Sequence, residues 1–216
     1  MFVGHYAAAI AAKAIEPRAP LWALAGAAQL VDIGWSVLIA AGIERASVDP
    51  ALPGSTFVLE HMPWTHSLPA ALVWSLAAAL LARAFLWSWR ASAIIGAVVF
   101  SHWLLDLLVH RPDLELWPGG EKVGLALWNH PVPEQAVEIG LIAIACVFWG
   151  AARRDAGRRA WPAALFIGFL IALQLVAMLM PAEAGPVAPD NAGLVLVVYV
   201  LVIAAAWLTD RGQRRT

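Results

Sequence analysis

The sequence predicts an all-α fold: a polytopic transmembrane helical bundle with about six to seven membrane helices. Three observations point there. The chain is 62% hydrophobic and only 13% charged, with a mean hydropathy of +0.74, where a soluble domain carries about 25% charged residues. Several apolar runs approach the ~20 residues that a helix needs to cross a bilayer. Many of the twelve tryptophans fall near the ends of those runs, as in an interfacial aromatic belt. The 216 residues leave room for one domain and no separate soluble module.

Taken in order, residues 1–15 form a short first segment that carries His5. Its first positive charge, Lys13, follows the apolar run, the reverse of the order in a cleaved signal peptide, so the segment is expected to stay in the mature protein. After Pro17 and Pro20, residues 21–43 make a full-length span with Asp32 near its middle. A polar loop over 44–65 ends in HMPWTHS, which supplies His61 and His66, with Thr65 a candidate N-cap. Residues 67–86 and 91–109 form spans three and four. A Pro- and Gly-rich loop follows over 110–132, and WPGG from Trp117 reads as a turn that folds it back over span four. Residues 133–150 form span five, with Glu134 and Glu138 in its first two turns. Spans six and seven, 161–180 and 192–208, contain no acid, base or histidine. They serve as packing or as the surface of a homo-oligomer. The chain thus divides into a five-segment bundle over 1–150 and, over 151–216, an Arg-rich loop with two accessory helices.

Orientation follows from the basic residues. Arg153, Arg154, Arg158 and Arg159 lie two spans away from Arg211, Arg214 and Arg215. Both groups therefore share one side, which the positive-inside rule makes cytoplasmic. Counting back brings Lys13, Arg18, Arg83 and Arg90 to the same side, so 11 of 14 basic residues agree. That orientation collects the unusual polar groups in the outward half of the membrane.

The strongest site signal is FSHWLLDLLVHRPDLELWP, residues 100–118. His102, Asp106 and His110 recur at four-residue spacing, which puts them on one helix face. Ionisable groups at membrane depth are expensive and mark working sites. Imidazole with carboxylate is a donor set for zinc, manganese or iron. The lone Cys146 excludes a disulfide framework or a cysteine-based zinc site. The candidate ligands are His5, Asp32, His66, His102, Asp106 and His110, enough for one or two ions, probed against a buried hydrogen-bond network without metal. Glu138 is a candidate ligand or base, whereas Glu134 complements a helix N-terminus. Arg111 has the fork geometry to hold a phosphate, or it pairs with Asp113 or Glu115. His61 and His130 read as loop histidines. A net charge of −1 argues against a nucleic-acid partner.

The order Gly4–His5, Asp32, Thr65–His66–Ser67, SHxxxD from Ser101 to Asp106, then HRPD and WPGG resembles the bacterial membrane-bound metal-dependent hydrolase family typified by the inner-membrane protein YdjM. The resemblance covers roughly the first 140 residues. The family usually shows two neighbouring aspartates after the second element and HRG before THS. Here only Asp32 stands in the first place, and EHMPW precedes Thr65. The HxxxD spacing is also similar to that of zinc-dependent phospholipase C. These likenesses imply a bacterial inner-membrane hydrolase of lipid or lipid-linked phosphoesters, with zinc as cofactor and its site facing the periplasm. Asp32 or Glu138 would be the base. The reading from a different class is a proton- or metal-coupled transporter, since intramembrane His and Asp also build ion relays.

Overall fold

The computed structural model describes residues 1–85 and 88–211. Leu86, to which the third predicted span extends, and Arg214 and Arg215 of the basic C-terminus lie outside them. A 3-10 turn at Val3–His5 leads into α1, Tyr6–Ile15. Then come α2, Leu21–Ala28, and α3, Leu30–Ala40; α4, Leu68–Ala84, and α5, Trp89–Val109; and α6, Pro131–Asp155, α7, Trp161–Leu179, and α8, Pro189–Arg211. Four of these, α5 to α8, are long and apolar enough to cross a membrane, and the α2–α3 pair makes a fifth if counted as one broken span. The helical class agrees with the prediction, and this measure gives four to five crossings among the described residues where six to seven were expected. The reason is length: α1 has 10 residues and α4 has 17.

The predicted span over 21–43 is not continuous. It breaks at Gln29 and bends by 52°. The Ala28 carbonyl is engaged by His102 Nδ1 at 2.8 Å, and a side chain inserted into the helical ladder is a standard cause of a sharp kink. The break starts a new helix, and Asp32 sits in its first turn. A carboxylate there complements the positive end of the helix dipole. Asp32 is therefore not a mid-span charge but a helix-start charge.

Helix starts elsewhere follow local chemistry. Ser67, not Thr65, caps α4: its Oγ accepts from Ala70 N at 3.3 Å and donates to Pro63 O at 2.7 Å. Ser88 caps α5 in the same way, and α6 opens on Pro131, where a missing N–H costs nothing. α4 packs along α5, α1 along α6, and α8 along both α2 and α3. Between α4 and α5 the approach is close. A Cβ on Gly96 would lie 3.0 Å from Ser75 O and 3.1 Å from Ala79 Cβ, and Ser75 Oγ donates to Gly96 O at 2.7 Å. Small residues and a hydroxyl bond are how helices associate where lipid supplies no hydrophobic drive.

Two regions expected as plain loops carry strands. β1, Arg45–Val48, pairs antiparallel with β2, Phe57–His61, and with β5, Gly185–Pro186. β3, Leu114–Glu115, pairs with β4, Lys122–Val123. Lys122 Nζ ties the two sheets by donating to Leu59 O and Glu60 O at 2.8 and 2.9 Å. Trp35, Ile39, Ala46, Leu59, Met62, Leu114 and Ala192 form a separate small core beneath this cap. The loop after α5 does fold back on the helix end, with Ala126 N donating to His110 O at 2.7 Å. A Cβ at Gly124 would stand 2.1 Å from Arg111 O, so only glycine fits there. The covering residue is Trp128, buried against the His110 ring at 3.8 Å, whereas Trp117 of the WPGG turn is exposed.

Gly96→Val should overpack the α4–α5 contact and lower stability by about 1–3 kcal/mol. Thermal unfolding of detergent-solubilised protein, compared with Gly168→Val at a position where a Cβ meets nothing within 4 Å, checks this.

Candidate metal centre

Four elements meet at one buried point. The 3-10 turn delivers His5, α3 delivers Asp32, the loop before α4 delivers His66, α5 delivers His102 and Asp106, and the end of α5 delivers His110. His102 Nε2 lies 3.1 Å from Asp106 Oδ2 and 3.4 Å from Asp32 Oδ1. His66 Nε2 lies 3.3 Å from Asp32 Oδ1 and 3.8 Å from Asp106 Oδ2. His5 Nε2 and His110 Nε2 approach Asp106 Oδ1 at 3.1 and 3.6 Å, and that oxygen also meets the amino group of Met1 at 3.1 Å. The His5 and His102 rings stack at 3.7 Å, only 6° from parallel.

What fixes the imidazoles lies behind them. His102 Nδ1 is held by Ala28 O. His66 Nδ1 meets Thr65 Oγ1 at 2.8 Å, and that hydroxyl donates to Glu44 Oε2 at 2.7 Å. The hydroxyl proton is thus spent on Glu44, so Nδ1 is the donor to Thr65. His110 Nδ1 donates to Asp113 Oδ1 at 3.1 Å, while Asp113 Oδ2 accepts from Leu59 N. Burial pushes the His110 imidazole below its ordinary value, favouring the neutral ring. Each Nδ1 therefore carries a proton, and in its neutral form each ring turns the lone pair of Nε2 toward carboxylate oxygens.

In that form acceptor is set against acceptor. His102 Nε2 and Asp106 Oδ2 are both buried and without a hydrogen-bond partner among the described residues, as are both nitrogens of His5. A buried polar atom left in this state is costly, and either an added proton or a cation resolves it. Donors bound to one ion at roughly 2.1 Å stand at most about 4.2 Å apart. The N···O separations of 3.1 to 3.8 Å fall inside that limit. Two three-residue sets have donor atoms mutually within 4.8 Å: His5, Asp32 and His102, and His66, His102 and Asp106. The residues therefore fit a divalent cation by donor chemistry, by spacing and by orphaned buried atoms. Imidazole nitrogens backed by carbonyl or carboxylate acceptors are also the usual outer support of metal ligands.

Two expected participants have other work. Glu138 is buried, but one carboxylate oxygen accepts from Phe2 N and Gly4 N, and the other accepts from Gln174 Nε2 at 3.1 Å. It clamps the turn that carries His5. Gly4 is packed against it so closely that an added Cβ would lie 3.1 Å from Glu138 Cγ. Arg111 pairs with neither Asp113 nor Glu115 among the described residues. Its Nε donates to Asn129 Oδ1 at 2.8 Å and its Nη2 to Pro53 O and Ser55 O at 2.6 and 2.9 Å. Its fork pins one loop to the other. His130 is exposed and His61 lies at the rim, 3.6 Å from Glu115.

Sequence reasoning missed Glu44, Thr65 as a bridge, and Tyr199, whose hydroxyl donates to Asp32 Oδ2 at 2.9 Å. A signal for Tyr199 was present: it is a lone phenol inside an otherwise apolar run. Gln174 in α7 is the same kind of signal.

The fold and site together define a polytopic helical membrane protein with a buried histidine–aspartate cluster. The YdjM inner membrane protein family matches residues 1–211. The chain belongs to that family, and the match extends through α7 and α8, well past the first 140 residues. No curated protein and no solved structure matches it.

Thr65→Val should free the His66 ring and, at a site that takes up zinc, lower the affinity about 10–100-fold, the usual cost of losing an outer support, whereas Thr65→Ser should retain it. Zinc titration calorimetry on the purified protein reads both.

Proposed function

We propose that this protein is a membrane-embedded metal-dependent hydrolase. Its substrate is a lipid or lipid-linked phosphoester, reached from the outward, periplasmic layer of the inner membrane. The observation that carries the reading is the convergence of the side chains: His66 and His102 direct Nε2 at Asp32 and Asp106 over 3.1 to 3.8 Å, with each Nδ1 already committed. His5, Asp32, His66, His102 and Asp106, with His110 beside them, would hold one or two ions, zinc being favoured by the mixed imidazole and carboxylate donors. Such an ion supplies Lewis-acid polarisation of a phosphoryl oxygen and brings the pKa of water to about 7.

The chain's own groups divide the remaining work. Asp32 is the more open of the two aspartates, its side chain 15% exposed against 2% for Asp106. It is therefore the carboxylate that can take a proton from water, and Tyr199 holds its other oxygen in place. Asp106, closed in among His5, His102 and His110, is a ligand and not a base. Glu138 positions His5, and Arg111 organises the covering loops, so neither is assigned a proton-transfer or phosphate-binding role. Phosphoester chemistry is supported by the likeness of the SHxxxD spacing to zinc-dependent phospholipase C, and a lipid substrate by the burial of the cluster in an apolar bundle. The outward orientation is supported by the distribution of basic residues.

One observation favours a second reading, a proton- or metal-coupled transporter. The 52° break beside Asp32 is a discontinuous helix at an ion-binding group, as transporters use.

Elemental analysis of purified protein should find one or two divalent ions per chain. His102→Ala and Asp106→Ala should lose them together with turnover on a panel of phospholipids and lipid-linked phosphoesters. Intact protein that binds no divalent metal sinks the proposal, and metal flux into proteoliposomes without hydrolysis replaces it by the transporter. Metal retention should also fall as pH drops through about 6.5, where free imidazoles protonate.

A further inference from the structure

A second polar region lies at the other end of the bundle. From Glu138 to Arg153, α6 runs 15 residues, about 22 Å at 1.5 Å per residue. There the end of α1 meets the end of α6 around a cavity of ≈ 100 Å³ lined by Lys13, Pro17, Trp149, Ala152, Arg153, Ala156 and Arg158. All three charges in its lining are positive. That volume is roughly three water volumes, the scale of one tetrahedral oxyanion.

The three cations differ in what they have left to give. Lys13 is fully engaged: its Nζ lies 3.0 Å from Asp210 Oδ1 and donates to Pro17 O and Ala19 O at 3.1 and 2.8 Å. Asp210 is spent as well, since its other oxygen accepts from Leu21 N. Arg153 is not satisfied. It is 6% exposed, its Nε donates to Arg159 O at 2.6 Å, and its guanidinium carbon lies 5.7 Å from the Trp149 ring centroid. Its Nη1 is buried with no hydrogen-bond partner among the described residues. Arg158 is exposed at the rim, with no side-chain partner among the described residues.

A buried guanidinium N–H without an acceptor carries the cost of desolvation with nothing in return. Among the described residues the carboxylate that reaches this cluster, Asp210, already serves Lys13 and Leu21, and none of them gives Arg153 Nη1 an acceptor. Arginine recognises oxyanions through parallel N–H donors, and basic pockets between membrane helices suit lipid head groups.

We propose that this cavity is a binding site for a phosphate oxyanion, held by Arg153 from within and Arg158 at the rim, with Trp149 backing the guanidinium. Either the phosphate monoester of an anionic lipid or free phosphate carries this chemistry. The site is independent of the histidine–aspartate cluster, and its test does not require that cluster to be active.

The full chain is reconstituted in nanodiscs of phosphatidylcholine, with and without 20 mole per cent phosphatidic acid, and separately titrated with inorganic phosphate in phosphatidylcholine discs; thermal unfolding is read in each. Phosphatidic acid should raise the midpoint. Stabilisation by the lipid alone assigns the head group, and stabilisation by both assigns phosphate itself. Arg153→Gln should weaken the response at least five-fold. Arg158→Gln, exposed and free of structural bonds, should weaken it at least two-fold with unchanged folding. Arg154→Gln, an exposed neighbour outside the cavity lining, removes the same charge and should leave the response unchanged. No stabilisation by either ligand, or an equal loss in all three variants, overturns the proposal.

Discussion

Two carboxylates, Asp32 and Asp106, sit among apolar helices, and the arrangement of the outward half of the bundle follows from meeting their demand. Removing a carboxylate from water is tolerable only when cations or donors surround it. Around Asp106 stand four imidazoles and an amino group, and around Asp32 stand two imidazoles and a phenol. These partners come from helices far apart in sequence, so the cluster is also a tertiary constraint. The α2–α3 break delivers Asp32, the clamp on the 3-10 turn delivers His5, and the path of the loop before α4 delivers His66.

The supporting layer is acidic too. Glu44 accepts from Trp64 N, Thr65 N and Thr65 Oγ1, Glu115 accepts from Met62 N and Gly119 N, and Glu138 accepts from the backbone of the first turn. In each case a buried carboxylate gathers backbone N–H groups of irregular chain, which helices and sheets would otherwise have satisfied. Loops near a site can in this way be as fixed as the helices. The cap built on β1, β2 and β5 has its own small apolar core and holds the His66 loop from the other side.

Much of this was legible in the sequence, and what was not has physical reasons. His102 and Asp106 could be read because a four-residue spacing in a helix is a geometric statement. His5 and Asp32 could be read because each is polar in apolar surroundings, and His66 because it stands where a polar loop enters an apolar span. The break at Gln29 was hidden: no proline or glycine marks it, and it depends on a carbonyl captured by His102, 74 residues away. The short strands were hidden because their pairing, as between Ser47 and Pro186, is non-local. The roles given to Glu138 and Arg111 rested on residue type and nearness in sequence. Both side chains instead found acceptors or donors in the folded backbone, which composition cannot reveal.

The bond from Tyr199 to Asp32 spans 167 residues and bears on biogenesis. A chain made from its N-terminus inserts α3 long before α8 leaves the ribosome. During that interval Asp32 lacks its phenol donor, and α2 and α3 lack the helix that packs along both. The bent pair can settle only when α8 arrives, so the geometry of this part of the bundle waits on its insertion. The state of Asp32 during insertion therefore reports whether α8 has been laid in beside α2 and α3.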